Sequence, residues 1–131
     1  MAPSGIQRFI VKPRKIEELV HHDIRKMEEE VGPLFRYMSR EMVPEADVTL
    51  LVRKIERNPQ ASDVGPSLHQ HVVNQLYCLL GDLEVEVTIE DEKEIVQGPA
   101  SILIPAGKNH AIRFIAGRGY LVNVLSGASY G

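Results

Sequence analysis

The sequence predicts an all-β fold, a sandwich or barrel of short strands, preceded by a helical segment. From residue 48 onward, runs of β-branched and aliphatic residues alternate with turn-forming residues at close intervals. Between residues 83 and 90, apolar and polar side chains alternate strictly, which is the pattern of a half-buried strand. No helical pattern separates the runs, and this argues against parallel βαβ units.

The strand prediction can be followed run by run along the chain. The predicted strands cover residues 48–57, 69–80, 83–90, 94–97, 101–104, 110–115 and 120–125. The turns between them contain Asn58-Pro59, Gly81-Asp82, Asp91-Glu92-Lys93, Gly98-Pro99 and Gly117-Arg118-Gly119. We therefore expect antiparallel neighbours joined by short connections.

Residues 1–47 have a different character and predict helices. The apolar residues that recur at three- and four-residue steps are Ile16, Leu19, Val20, Ile24, Met27 and Val31. Pro13 precedes this stripe and Gly32-Pro33 ends it. A second short helix is predicted from Leu34, Phe35, Met38 and Met42, ending before Pro44. We expect residues 1–47 to form a helical extension of the same domain as a barrel spanning residues 48–131.

Length and composition restrict the class of protein. The 131 residues suit one domain with one core, and a net charge of −3 gives no electrostatic argument for nucleic acid or an anionic membrane as partner. No apolar run approaches the roughly 18 residues of a membrane span, and the first residues lack a signal-peptide core. We therefore expect a cytoplasmic protein. The one cysteine, Cys78, permits neither an internal disulfide nor a thiolate zinc cluster, and we expect it to be buried.

Three histidines fall into two patterned places. His69 and His71 stand two residues apart, so on a strand their imidazoles would share a face, and Gln75 has the same parity. His110 follows a tight turn over residues 105–109, in which proline and glycine can aim the next side chain reproducibly. Neutral imidazole is a common ligand of first-row metals, so the pattern favours a metal site.

These spacings resemble the two metal-binding motifs of the cupin superfamily. The first motif is matched by Gly65, His69, His71, Gln75 and Gly81, and the second by Gly98, Pro105, Gly107 and His110. The resemblance covers about residues 48–126 and implies a jelly-roll barrel with an inward-facing metal. His69, His71 and His110 match the three histidines of the family, and Gln75 matches its usual glutamate. Cupin barrels commonly pair, so the resemblance also implies a homodimer, with residues 1–47 at its interface or capping the barrel.

The match has departures, and they leave alternatives open. Gln75 replaces the commoner glutamate, two spacings differ by one residue, and Phe114 stands where the family has an asparagine. Asn74 could take the place of Gln75 if a bulge shifts the parity of the strand. A barrel of the same kind whose histidines bind no metal is the plainer alternative.

The ligand set suggests a type of chemistry. Three imidazoles and an amide are neutral, so a divalent ion keeps its full charge and polarises bound water or a carbonyl strongly. This favours isomerase or lyase chemistry on a small carboxylate or enolate over dioxygenation, which remains open. Iron, manganese, nickel, cobalt and zinc are all compatible. A non-catalytic module that binds a metal or a small molecule is the alternative function.

Four further residues are candidates for the site or its surroundings. Tyr77 shares the parity of Gln75 and could act as an acid or base, although we favour packing inside the barrel with a hydrogen bond to the backbone. Arg53 and Arg113 could bind an anionic substrate, but we expect both at the solvated surface. Asn123 lies in the apolar run 121–125 and must find a hydrogen-bond partner if it is buried.

Overall fold

The computed structural model describes residues 5–17, 24–57 and 71–126, and these residues form two antiparallel sheets. The helical elements are a 3-10 helix, Gly5–Phe9, and helix α1, Ile24–Glu30. The strands are β1 (Arg14–Lys15), β2 (Leu34–Met38), β3 (Val48–Ile55), β4 (Gln75–Gly81), β5 (Glu84–Ile89), β6 (Glu92–Gln97), β7 (Ala100–Ile104), β8 (His110–Ala116) and β9 (Gly119–Ser126). One sheet has the order β1-β2-β3-β9-β4-β7, and the other has the order β6-β5-β8. The prediction of a mostly β fold is confirmed, in the form of a two-sheet sandwich.

Alternating burial along the strands shows which residues face the core. In β5, Val85 and Val87 are buried while their charged neighbours are only partly covered, as the sequence pattern predicts. In β4, Gln75, Tyr77 and Leu79 are buried. Strands β3 and β8 bury Leu51, Ile55, Ile112 and Phe114. Each sheet therefore turns one apolar face inward.

The core lies between the two inward faces. The six-stranded sheet contributes Ile55, Tyr77, Leu79, Ile104 and Leu121. The three-stranded sheet contributes Val85, Val87, Ile112 and Phe114. Burial of this apolar surface is the main favourable term for such a fold, at about 25 cal/mol per Å². A polar side chain that points into the core between the sheets is consequently surrounded by aliphatic side chains.

The N-terminal part departs from the helical prediction. Helix α1 ends just before Gly32-Pro33 as predicted, but Arg14–Lys15 is a short strand and residues 18–23 lie outside the described residues. The predicted second helix is wrong: Leu34–Met38 is strand β2, which pairs antiparallel with β3. Short apolar runs are compatible with a helix or a strand. Here the run is a strand because it pairs with the edge of β3. Val31 is part of the main core and Met27 packs against it, so the end of helix α1 contacts the sandwich.

The outer face of the six-stranded sheet is also apolar. Its outward positions on β3, β4, β7 and β9 include Val48, Leu50, Val52, Leu76, Cys78, Leu80, Leu103, Tyr120, Val122 and Val124. Lys54 is the one charged residue among the outward positions of these four strands. Cys78 is therefore half-buried on an outer face, and the prediction that it is buried is wrong. We call this the outer face below.

No helix within the described ranges is long and apolar enough to cross a bilayer.

Candidate metal centre

Three of the four predicted metal ligands lie in the described part of the chain, and all three are buried. The exposed fractions are 2% for His71, 1% for Gln75 and 1% for His110. His69 lies outside the described residues. A polar side chain that is so completely covered is held by partners, because burying it without one costs about 1–3 kcal/mol. The three side chains therefore lie inside the fold and not at its surface.

Backbone contacts bring the two motifs together. The predicted strand over residues 69–80 begins later, because β4 starts at Gln75 and His71 lies in the irregular segment before it. The carbonyl oxygen of His71 accepts a hydrogen bond from the Gly107 amide at 2.8 Å. This bond ties the first motif directly to the turn that precedes His110. The sequence analysis placed His71 by its parity on one strand. In the structure, a contact between two loops positions it instead.

Asn74 has a role in the turn. Its side-chain oxygen accepts a hydrogen bond from the Ala106 amide at 2.9 Å, and the residue is exposed. Its backbone oxygen accepts another from Ser126. Gln75, by contrast, is buried in the first position of β4. The arrangement favours Gln75 over Asn74 as the fourth donor.

His110 is held by its own backbone in one orientation. It opens strand β8, and its Nδ1 lies 3.1 Å from the carbonyl oxygen of Lys108. A carbonyl oxygen can only accept, so Nδ1 carries the proton, and in the neutral imidazole the lone pair is then on Nε2. The Nε2 atoms of His110 and His71 are both buried, and the two ring centroids are 5.2 Å apart. Nearby imidazoles with such an Nε2 are the usual donors of a transition-metal site.

The Gln75 amide is oriented by Asn123. Its Nε2 donates a hydrogen bond to Oδ1 of Asn123 at 2.7 Å. Its Oε1 is buried and has no hydrogen-bond partner among the described residues. A buried amide oxygen without a partner costs free energy unless a cation or a donor approaches it. The sequence showed that Asn123 needs a partner but did not show that this partner is a candidate ligand.

Tyr77 lies beside these donors. Its ring centroid is 6.3 Å from that of His110, in an edge-to-face arrangement, and its side chain is buried. Burial raises the pKa of the Tyr77 hydroxyl far above its ordinary value, against the smaller lowering effects of a hydrogen bond from Gln75 and the charge of Arg53. The phenol therefore stays protonated at neutral pH. It is suited to donate a hydrogen bond and poorly suited to act as a base.

The two arginines have different surroundings. Arg113 is a partly exposed surface residue whose guanidinium lies 3.3 Å from Glu86, as expected. Arg53 is only 5% exposed and points into the core from β3, with Nη1 donating to the Gly32 oxygen at 2.8 Å. The prediction that Arg53 lies at the surface is wrong. Its position follows from the parity of β3, where Thr49, Leu51 and Ile55 also point inward.

The donors fit a divalent transition metal better than a hard, oxygen-preferring ion. Within the described ranges there is no cluster of three or more His, Cys, Asp or Glu residues, so carboxylate cages for calcium or magnesium are not formed there. The described donors are two imidazoles and one amide oxygen. Nitrogen-rich, neutral donor sets of this kind suit iron, manganese, cobalt, nickel or zinc.

Comparisons with known proteins show the fold. Neither the protein-family models nor the curated proteins include a match to this chain. Among solved structures, oxalate decarboxylase of Bacillus subtilis superposes with a TM-score of 0.60 at 18% identity, over 78% of this chain and 27% of that one. KdgF from Halomonas sp. superposes with a TM-score of 0.58 at 15% identity, over 74% of this chain and 81% of that one.

The two superpositions cover different shares of the known proteins. The chain spans about a quarter of the length of the oxalate decarboxylase chain, whereas it matches most of KdgF. At identities of only 18% and 15%, the superpositions show a common fold and nothing further. The chain has the cupin fold, as the two sequence motifs indicated.

Proposed function

We propose that this cupin-fold chain binds one divalent transition metal on His69, His71, Gln75 and His110 and acts as an enzyme on a small carboxylate or enolate. The observation that carries the proposal is that buried imidazoles from two separate motifs, His71 and His110, lie with their ring centroids 5.2 Å apart. Burying the Gln75 amide oxygen without a hydrogen-bond partner among the described residues opposes folding, and binding a cation would compensate for that cost. The structurally similar oxalate decarboxylase of Bacillus subtilis has Mn(II) centres, and this supports a metal-dependent role on a carboxylate.

The proposed chemistry is Lewis-acid isomerisation or elimination, with dioxygenation as the second possibility. A bound divalent ion would polarise a substrate oxygen and stabilise developing negative charge there. The residues of the chain supply the rest. Asn123 holds the Gln75 amide in one orientation, and the Lys108 carbonyl does the same for His110. The protonated Tyr77 hydroxyl can donate a hydrogen bond to substrate oxygen, while Leu79 and Ile104 help to exclude water.

Metal analysis tests the proposal. Protein purified without a metal-binding tag is expected to carry close to one divalent ion per chain. The variants His71→Ala and His110→Ala should lose at least nine-tenths of it, because each removes one of only four protein donors. His22→Ala is the matched control, since that histidine belongs to neither motif. Equal metal contents in all four proteins would contradict the site.

The non-catalytic alternative is tested with wild type, His110→Ala and one further variant, Tyr77→Phe. If wild-type chain binds metal and small carboxylates but turns none of them over, and Tyr77→Phe binds them equally well, the chain is a binding module. Turnover that needs both His110 and the Tyr77 hydroxyl supports the enzyme.

We also propose that the chain forms a homodimer through its outer face. Leu76, Leu80, Leu103 and Tyr120 are each at least one-third exposed on it. Four strands spaced about 4.8 Å apart make this face about 19 Å wide. Over a strand length of about 20 Å it covers roughly 400 Å² before side-chain relief is added, about half of the roughly 800 Å² that each partner contributes to a standard interface. Monomeric proteins rarely expose a contiguous apolar patch larger than a few hundred Å².

A further inference from the structure

The turn that precedes His110 is attached to the first motif at two points. The Ala106 amide donates a hydrogen bond to Oδ1 of Asn74 at 2.9 Å, and the Gly107 amide donates to the backbone oxygen of His71 at 2.8 Å. A single hydrogen bond would leave the turn able to pivot about it, whereas two directional bonds from adjacent amides fix its orientation. The side chain of Asn74 therefore supplies a restraint that the backbone bond alone does not.

The orientation of this turn governs the orientation of the His110 imidazole. Lys108 lies in the same turn, and its carbonyl oxygen accepts the hydrogen bond from Nδ1 of His110 at 3.1 Å. A shift of the turn would move this oxygen, so the imidazole would follow it or lose its partner. The far end of the turn is anchored separately, because the carbonyl oxygen of Asn109 accepts a hydrogen bond from the Glu90 amide at 2.8 Å. With that end held, the contact with Asn74 sets the position of the near end.

Asn74 is itself attached to a third part of the chain. Its backbone oxygen accepts a hydrogen bond from the Ser126 amide at 3.2 Å, where strand β9 ends. The next residue, Gln75, is a candidate ligand, and Asn123 of the same strand β9 orients its amide. The backbone of Asn74 is thus held by β9 while its side chain holds the turn. This gives the contact a fixed base, although the residue itself is exposed.

We propose that Asn74 is a positioning residue for metal binding: through the turn, it holds the His110 imidazole in place relative to His71 and Gln75. This inference rests on the proposed function and gives Asn74 a part in it without making Asn74 a ligand. Coupling between a contact and a binding site is reciprocal, so a bound metal should in turn stabilise the hydrogen bond between Asn74 and Ala106.

Zn²⁺ affinity, measured by competition with a chelating dye, tests the inference. Asn74→Ala removes the acceptor and should weaken Zn²⁺ binding by about 3- to 10-fold, the fold-change that corresponds to the loss of one hydrogen bond. Asn74→Asp keeps an oxygen acceptor in place and should restore most of the affinity. The measurement is made in about 0.5 M salt, where the charge of an exposed aspartate is largely screened. Asn74 is exposed and its φ is negative, so alanine fits its backbone.

Gln97→Ala is the matched control. Nε2 of Gln97 donates to Oδ1 of Asp82 at 2.6 Å in a hydrogen bond that is also exposed. In the register of the smaller sheet, Gln97 pairs with Glu84 at one end of β5, whereas His110 pairs with Ile89 at the other end. The variant loses a side-chain hydrogen bond at the opposite end of that sheet, and it should bind Zn²⁺ as wild type does.

Two further measurements separate positioning from stability. The visible absorption spectrum of bound Co²⁺ reports the geometry of the ligands, and it should change in Asn74→Ala and return in Asn74→Asp. Hydrogen exchange of the Ala106 amide, followed by NMR, should slow when wild type binds Zn²⁺ and should slow less in Asn74→Ala. A merely structural Asn74 would lower the Tm of the metal-free variant and leave both the Zn²⁺ affinity and the Co²⁺ spectrum unchanged.

Several outcomes would overturn the inference. An Asn74→Ala protein with the affinity and spectrum of wild type contradicts it, as does an Asn74→Asp protein that binds Zn²⁺ no better than Asn74→Ala. An equal loss of affinity in Gln97→Ala also contradicts it, because the loss would then follow stability. A wild type that takes up neither Zn²⁺ nor Co²⁺ contradicts the proposed function and this inference together, whereas equal uptake and affinity in wild type and Asn74→Ala contradict only the role of Asn74.

Discussion

At the scale of single residues, one hydrogen bond decides which atom of the Gln75 amide is left for another partner. Asn123 Oδ1 accepts from Gln75 Nε2, so the amide oxygen remains as a candidate ligand. The Lys108 carbonyl plays the same part for His110 by accepting a hydrogen bond from Nδ1–H. Partners of this kind fix the orientation of a ligand and often govern metal affinity nearly as much as the ligand does.

Asn123 can therefore be tested as a positioning residue. Asn123→Leu removes the acceptor and should weaken binding of Mn²⁺ by about 10- to 100-fold, the usual effect of losing such a partner. Asn123→Asp keeps an oxygen acceptor in place and should restore most of the affinity. Competition with a chelating dye measures both. A uniform loss of stability with unchanged affinity in Asn123→Leu would show that the hydrogen bond is only structural.

Much of the candidate site was visible in the sequence because its parts are local. The spacing of His71 and Gln75 and the turn before His110 mark out the two motifs. What the sequence could not give is long-range: the hydrogen bond from Gln75 crosses to a strand 48 residues away, and Arg53 becomes a core residue through the parity of β3. Such facts depend on sheet register, which one-dimensional patterns specify poorly.

At the scale of elements, β2 shows where local pattern and tertiary structure disagree. Leu34, Phe35 and Met38 fit helical spacing, and the residues are ordinary for a helix. In the fold, however, β3 offers an unpaired edge, and Leu34 packs there with Ile16 and Leu51. Backbone hydrogen bonds along β3 outweigh the weak helical preference of a five-residue run. The predictions for β5, β7, β8 and β9 were correct to within two residues because their turns contain glycine, proline or charged pairs.

The inner and outer faces of the sandwich should respond differently to substitution, as Leu79 of β4 and Ile95 of β6 illustrate. Leu79 is 0% exposed between the sheets, so Leu79→Ala should lower the free energy of unfolding by about 2–5 kcal/mol. Ile95, on the outward side of β6, is 54% exposed. Ile95→Ala should therefore change the free energy of unfolding by less than about 1 kcal/mol. Urea unfolding of metal-free protein measures both. Similar losses in the two variants would contradict the assignment of inner and outer faces.

At the scale of the whole molecule, the sandwich has two apolar surfaces on its larger sheet and only one smaller sheet to cover them. The three-stranded sheet packs on the inner surface, where the candidate site lies. The N-terminal strands lengthen the larger sheet by pairing with β3, and Met27 and Val31 reach the core. The described N-terminal residues thus extend the fold without accounting for the outer face.

Covering the outer face by a second copy leads to the last prediction. The wild-type chain should scatter light with about twice its 14.7 kDa mass. Leu103 is 61% exposed on this face, and Leu103→Glu would place a charge in the interface of both subunits, since a two-fold axis repeats every contact. Burying two unpaired carboxylates is costly enough to shift the protein to monomers at micromolar concentration.

Ile95→Glu supplies the matched control, because it adds the same charge at a similarly exposed apolar residue on the other sheet. That variant should remain a dimer. A monomeric wild type would contradict the proposed dimer. A Leu103→Glu protein that stays dimeric would mean that the interface lies on another surface. Because the site faces the opposite side of the sheet, the monomeric variant should keep its metal, and dissociation accompanied by metal loss would mean that the two faces of the sheet are coupled.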